Sequence, residues 1–201
     1  MGLVDLATAK EWLPHLVDTT GPHSGNALTD DELQSYIDAA SKTAERVARR
    51  KLSADDYVEV CDGPGRRELL LSQWPILSVT SVIISSDGSF STTDPESSDT
   101  YEIDGAPGVL ARRSLWPEGY RNIQVTYRAG YELPANGGDY TVPEDLERAV
   151  IEVIDWMRQR DLNQTIGIRT VIGADGLQTS YSLDVPMSAR SVFESYGEVK
   201  I

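Results

Sequence analysis

Residues 122–149 read NIQVTYRAGYELPANGGDYTVPEDLERA. The first seven alternate, with Ile123, Val125 and Tyr127 on one side, as in a strand with one buried face. Gly130 then frees the backbone to leave a sheet. ELPANGGDYT (132–141) is polar and rich in turn formers. Pro143 suits the first turn of a helix, and the acids Glu144 and Asp145 follow it. Leu146, Ala149, Val150, Val153, Ile154 and Met157 continue as an apolar stripe flanked by Trp156, fading near RQRDLN (158–163). The segment therefore joins a strand to a helix and carries no catalytic group.

Upstream, a first helix is predicted from Asp5, its N-cap, to about Leu16, with Leu6, Ala9 and Leu13 on one face. DTTGPHSGNAL (18–28) reads as a polar loop. A second helix starts at TDDE (29–32), where Thr29 and Glu32 have the spacing of a capping box. Leu33, Tyr36, Ile37, Ala40, Ala44, Val47 and Ala48 follow at helical spacing. The acids of that first turn are explained by the helix dipole rather than by a metal.

Between Asp55 and Tyr131 the period changes to two. Strands are predicted at 57–61, 67–71, 76–85, 100–104, 108–112 and 122–128, separated by DGPG, SDGS, DGAPG and WPEG. Such short connections imply an antiparallel meander. Asp62-Gly63 and Asp87-Gly88 read as turn dipeptides. STTDPESSD (91–99) reads as a loop tip. In the tail, IRTVIGADGLQTSYSL (168–183) reads as a hairpin turning at Asp175-Gly176, and PMSARSVFESYG (186–197) as a short helix. Those apolar residues are too few to build a core of their own.

Composition excludes several classes of function. The net charge of −14 comes from 32 acids and 18 bases spread along the chain, and tight binding to a phosphate backbone needs clustered cations. The one basic run, RVARRK (46–51), closes the second helix, where cations favour the negative end of the dipole. No apolar run approaches the roughly 20 residues of a membrane span, and the N-terminus lacks the features of a secretory signal. Leu6 stands where a myristoylation motif needs Ser or Thr.

Cys61 is the single cysteine, so no internal disulfide forms, and with only His15 and His23 a Cys/His zinc cluster is not expected. Gly-Xaa-Ser-Xaa-Gly, GxGxxG and GxxxxGK[ST] are absent. Trp74-Pro75 and Trp116-Pro117 leave sugar or base stacking open beside aromatic anchoring at strand ends. Neither an enzyme nor a cofactor is expected.

Five segments in fixed order carry a resemblance. They are LATAKEWL (6–13), DDELQSYIDAASKTAERVARRKL (30–52), RELLLSQWPILSVTSV (67–82), GYRNIQVTYRAGY (119–131) and VPEDLERAVIEVIDWMRQR (142–160). Over about residues 3–160 the chain resembles the head-tail connector proteins of tailed double-stranded DNA phages, prophages and gene transfer agents. Within them it is similar to the adaptor or head-completion group. The elements predict an α+β fold: a small bundle of three main helices, an antiparallel β domain inserted between the second and third, and an extended C-terminal tail, the β insertion setting this chain apart from the smaller, almost wholly helical members. The expected divisions are 1–54 and 132–162 for the helical core, 55–131 for the β domain and 163–201 for the tail.

The resemblance further implies a non-catalytic virion protein of the neck, present in the host cytoplasm during assembly. It would form a ring of about twelve copies under the portal protein, next to a stopper or tail-completion protein, with no membrane partner. DNA would pass through the channel without sequence-specific binding, and carboxylates would keep it from adhering. Ile166, Ile168, Val171, Tyr181, Phe193 and Tyr196 are the expected portal or inter-subunit contacts. A stopper or tail-completion protein, and a carbohydrate- or protein-binding β module using Trp74 and Trp116, are the alternatives.

Overall fold

The computed structural model describes residues 2–17, 27–86, 88–91, 94–132, 141–162, 170–172, 178–180 and 184–197, with backbone alone at 170–172 and 178–180. The chain is α+β and divides into two compact units. One comprises Met1–Leu52 with Glu132–Ile201, and the other Ser53–Tyr131.

The first unit holds α1 (Leu6–Trp12), α2 (Pro14–Val17), α3 (Asp30–Ala48), α4 (Glu144–Leu162), the strands β7 (Thr170–Ile172) and β8 (Gln178–Ser180), and α5 (Met187–Ser195). The expected single helix from Asp5 to Leu16 is instead two. Pro14 has no N–H to donate, and it pushes Leu13 out of the helical region, to φ −121° and ψ 53°. Asp5 caps α1 as expected, its carboxylate accepting from the Thr8 amide at 2.6 Å. The capping box at α3 forms in full. Thr29 Oγ1 accepts from the Glu32 amide at 3.3 Å, and Glu32 Oε2 accepts from the Thr29 amide at 2.8 Å. The bond from the Thr29 amide, and after it the Thr29 hydroxyl donating to the same oxygen at 2.9 Å, hold the Glu32 carboxyl below the usual carboxylate range. The cap is therefore complete above ordinary carboxylate pKa values and is lost as the pH falls through the lowered one.

The helical core is built by α3, α4 and α5, which all contact one another, with α1 against α3. Leu33, Ile37, Leu146, Val150, Ile154 and Phe193 are all fully buried. Burial of the Phe193 ring alone contributes about 1.5–3 kcal/mol. Beneath α3, the Leu3 amide donates to Ser41 Oγ at 2.8 Å, which fixes the N-terminal segment. The tail hairpin pairs antiparallel, Thr170 with Ser180 and Ile172 with Gln178, a register centred on position 175. The expected turn at Asp175-Gly176 lies outside the described residues, as do most of 18–28 and all of 133–140.

The second unit contains β1 (Asp55–Gly63), β2 (Glu68–Leu70), β3 (Ile76–Ile84), β4 (Tyr101–Asp104), β5 (Val109–Arg112) and β6 (Gly119–Ala129). All its strand pairs are antiparallel, but the order is not that of a meander. One sheet is β1-β6-β3 and the other β2-β5-β4. The reason lies in the packing. Ile123, Val125 and Tyr127 of β6 share one core with Leu69, Tyr101 and Leu110 of the other sheet. Each sheet thus covers the other's apolar face, which neighbouring strands in sequence order would not do.

Two glycines are fixed by close approach. Asp62-Gly63 is not a turn, because β1 runs through it to a bulge opposite β6. A Cβ on Gly63 would lie 1.8 Å from the Pro117 carbonyl oxygen, while the Gly63 amide donates to Asn122 Oδ1 at 2.7 Å. Asp87, of the second dipeptide, lies outside the described residues. Gly130 has φ +115°, and a Cβ there would come within 2.8 Å of the Ala54 backbone. Beside it the Ala54 amide donates to the Tyr131 carbonyl at 3.0 Å.

Cys61 is half-buried against the β core. Burial, then the negative charges of Glu59 and Asp62, pushes its thiol up to about 12. At pH 8 the native protein should therefore react with a thiol reagent at least roughly a hundredfold more slowly than the urea-unfolded chain. Equal rates would contradict this. Gly130→Ala should cost about 1–3 kcal/mol from backbone strain alone, seen as a lower urea midpoint for loss of the β signal. Thr29→Ala should cost about 1 kcal/mol in the same experiment, read from helix content.

Candidate functional site

Among the described residues, titratable side chains come together in few places, and none of these has the layout of a catalytic centre. His15 Nε2 lies 2.9 Å from Asp155 Oδ1 on the surface. His23 lies outside the described residues. Among the described residues no three of His, Cys, Asp and Glu are placed to hold a metal ion.

The polar cluster of the β unit centres on Glu59. Its Oε2 accepts from Tyr127 Oη at 2.6 Å, from Ser72 Oγ at 2.8 Å and from the Ser72 amide at 3.1 Å. Burial and the bond to Glu59 raise the Tyr127 pKa, so its hydroxyl stays protonated and donating. Tyr57 packs against the same ring, with centroids 5.6 Å apart. With its hydroxyl partner donating to it, this carboxylate ties β1 to β6 and to the turn before β3.

Trp116 offers no open stacking face. Trp116 is 1% exposed, donates its Nε1–H to the Leu110 carbonyl at 3.2 Å and lies under the Arg112 guanidinium. Trp74 is half-buried, and Gly108 packs against its Cβ. For Trp116 the geometry supports aromatic anchoring.

Two concavities are lined by described residues. In the β unit, a space of about 200 Å³ is lined by Arg67, Arg112 and Arg113 together with Asp99 and Glu102, so its charges are mixed. In the helical unit, a larger space of about 400 Å³ lies where the C-terminal ends of α3 and α5 meet. Arg46, Arg49 and Arg190 line it, with Glu194 as the acid among them. Arg49 stands in the left-handed region at φ +59° and ends α3. Arg50 is buried and donates through Nε to the Tyr196 carbonyl at 2.7 Å, which joins the two helix ends. The basic run was legible as dipole compensation. Its partner in the concavity comes from residue 190, and nothing local announces that.

Of the six expected contact residues, Phe193 and Tyr196 are held inside the helical unit. Phe193 is fully buried, and Tyr196 Oη donates to Asp145 Oδ1 at 2.6 Å. Val171 lies at the middle of β7, paired with Thr179. Ile166, Ile168 and Tyr181 lie outside the described residues.

Comparison with known proteins bears on this arrangement. No curated protein matches the chain. Solved structures similar in fold include three, each at 17% identity. One is the neck of an empty gene transfer agent particle computed with C6 symmetry, at a TM-score of 0.58. Another is the virion of a native gene transfer agent particle, at 0.59. In both, the match covers 99% of this chain and 91% of the other. The third is the neck of the native particle computed with C12 symmetry, at 0.53, covering 100% of this chain and 96% of the other. The head completion protein family model matches residues 23–199. The chain belongs to the head completion protein family.

Proposed function

We propose that this protein is a non-catalytic structural subunit of the particle neck, an adaptor that forms a ring under the portal and extends the DNA channel towards the tail. The observation that carries this reading is family membership across 23–199 together with a fold shared end to end with neck chains. The C12 symmetry of one similar structure supports a ring of twelve copies. The helical scaffold, with the β unit as an insertion between its second and third main helices, is the building block of that ring. It works between capsid and tail, and reaches that position from the cytoplasm during assembly.

The net charge of −14 has a physical use there. Fixed carboxylates along a passage repel phosphates, so duplex DNA slides without adhering. A site for chemistry is not needed for this task. We place the contact with the portal or a neighbouring subunit on the segment 163–201. Ile166, Ile168, Val171 and Tyr181 are proposed as its contact residues, while Phe193 and Tyr196 secure it to its own unit.

Removing residues 163–201 should abolish co-sedimentation with portal rings, and undiminished binding would sink the tail assignment. Imaging of the particle neck with the labelled protein should show twelve copies directly beneath the portal. Label at the tail tip or on the capsid faces would overturn the adaptor reading.

A further inference from the structure

Acids outnumber bases by 32 to 18 in this chain, so cations should find carboxylates easily. Arg46 and Arg49 are both exposed and line the 400 Å³ concavity at the end of α3. Neither guanidinium makes an ion pair or hydrogen bond among the described residues. Arg190 stands across from them, paired with Glu194 at 2.9 Å. The dipoles of two helix C-termini account for some positive charge here. They do not account for a recess of this size between the cations.

The same molecule carries the complement. Residues 94–104, DPESSDTYEID, hold five acids and no base. Glu96 is paired with Arg112, but the carboxylates of Asp94 and Asp104 are exposed and make no ion pair or hydrogen bond among the described residues. The segment ends in β4, an edge strand of its sheet, so it is presented outward.

We propose that the arginine-lined concavity receives the acidic segment 94–104 of a second copy of this chain. This rests on the ring reading above. A pocket on one surface and its complement on another make a heterologous contact, the kind that closes into rings. A carboxylate pair on a guanidinium fork is a strong, directional contact, and partial desolvation in a recess strengthens it. DNA is the less fitting occupant. Three arginines in one recess match few phosphates, and the field of the remaining surface repels the duplex.

The test uses the full-length chain in particles assembled in cells that express the capsid and portal with each variant. Neck occupancy is then counted. Arg46→Glu with Arg49→Glu should lower occupancy at least tenfold, and so should Asp94→Arg with Asp104→Arg. All four substitutions in one chain should restore it, because the charges are exchanged rather than lost. Arg46→Gln with Arg49→Gln, checked for native circular dichroism, covers the case in which reversal unfolds the helical unit, and it should also lose occupancy. Normal occupancy of every variant overturns this contact and leaves the ring reading standing. Loss in both pairs without rescue by the fourfold variant overturns this choice of occupant. Loss of DNA binding with unchanged occupancy assigns the recess to nucleic acid. Absence of the wild-type chain from the neck overturns both the contact and the ring reading.

Discussion

The β unit depends on one closure. Its first and last residues are stitched together, with Ser53 bridging Tyr131, the Ala54 amide bonded to the Tyr131 carbonyl, and Gly130 pressed against Ala54 where a side chain has no room. Because the ends meet, β6 can serve two partners, pairing with β1 on one side and β3 on the other. Its buried face, Ile123, Val125 and Tyr127, then supplies the floor on which the second sheet rests. Glu59 reinforces the same seam by accepting from β6 and from Ser72. A unit whose ends coincide also interrupts its host with little disturbance, since the host chain resumes near the point where it stopped.

What the sequence revealed was local. Thr29 and Glu32 announce the start of α3 because a capping box involves four consecutive residues, and the structure forms it bond for bond. The alternation Ile123, Val125, Tyr127 identifies β6 because side-chain direction follows from period two. Pro14 was visible as well, but the apolar spacing of Leu6, Ala9 and Leu13 runs on across it to Leu16 and hides the break. What stayed hidden was non-local. Strand order is decided by which faces need covering, and no dipeptide records that. Asp62-Gly63 has the composition of a turn, yet the approach of Pro117 from more than fifty residues away makes it a bulge at a strand end. Likewise Arg46 and Arg190 share a recess only after α5 has packed on α3.

Function divides along the same line. The residues that fix the fold are buried and say little about partners: Trp116 and Phe193 are anchors, although aromatic residues at strand or helix ends also suit contact surfaces. The charged residues carry the functional reading. Their excess of acid disfavours broad contact with DNA, and the small basic enclave stands out against it. Family and fold supply the setting in which that pattern of charge becomes useful.

The pairing of β1 with β6 has a consequence for synthesis. Asp55 meets Ala129, so the first strand of the unit leaves the ribosome long before its partner exists. At roughly 5–20 residues per second that interval lasts on the order of several seconds. Pairing of such high contact order is slow by nature. Meanwhile the strand DDYVEVCDG shows an open edge to every other nascent chain. Its four carboxylates, Asp55, Asp56, Glu59 and Asp62, are placed to keep copies apart during that wait. The acids of β1 thus also guard the nascent polypeptide.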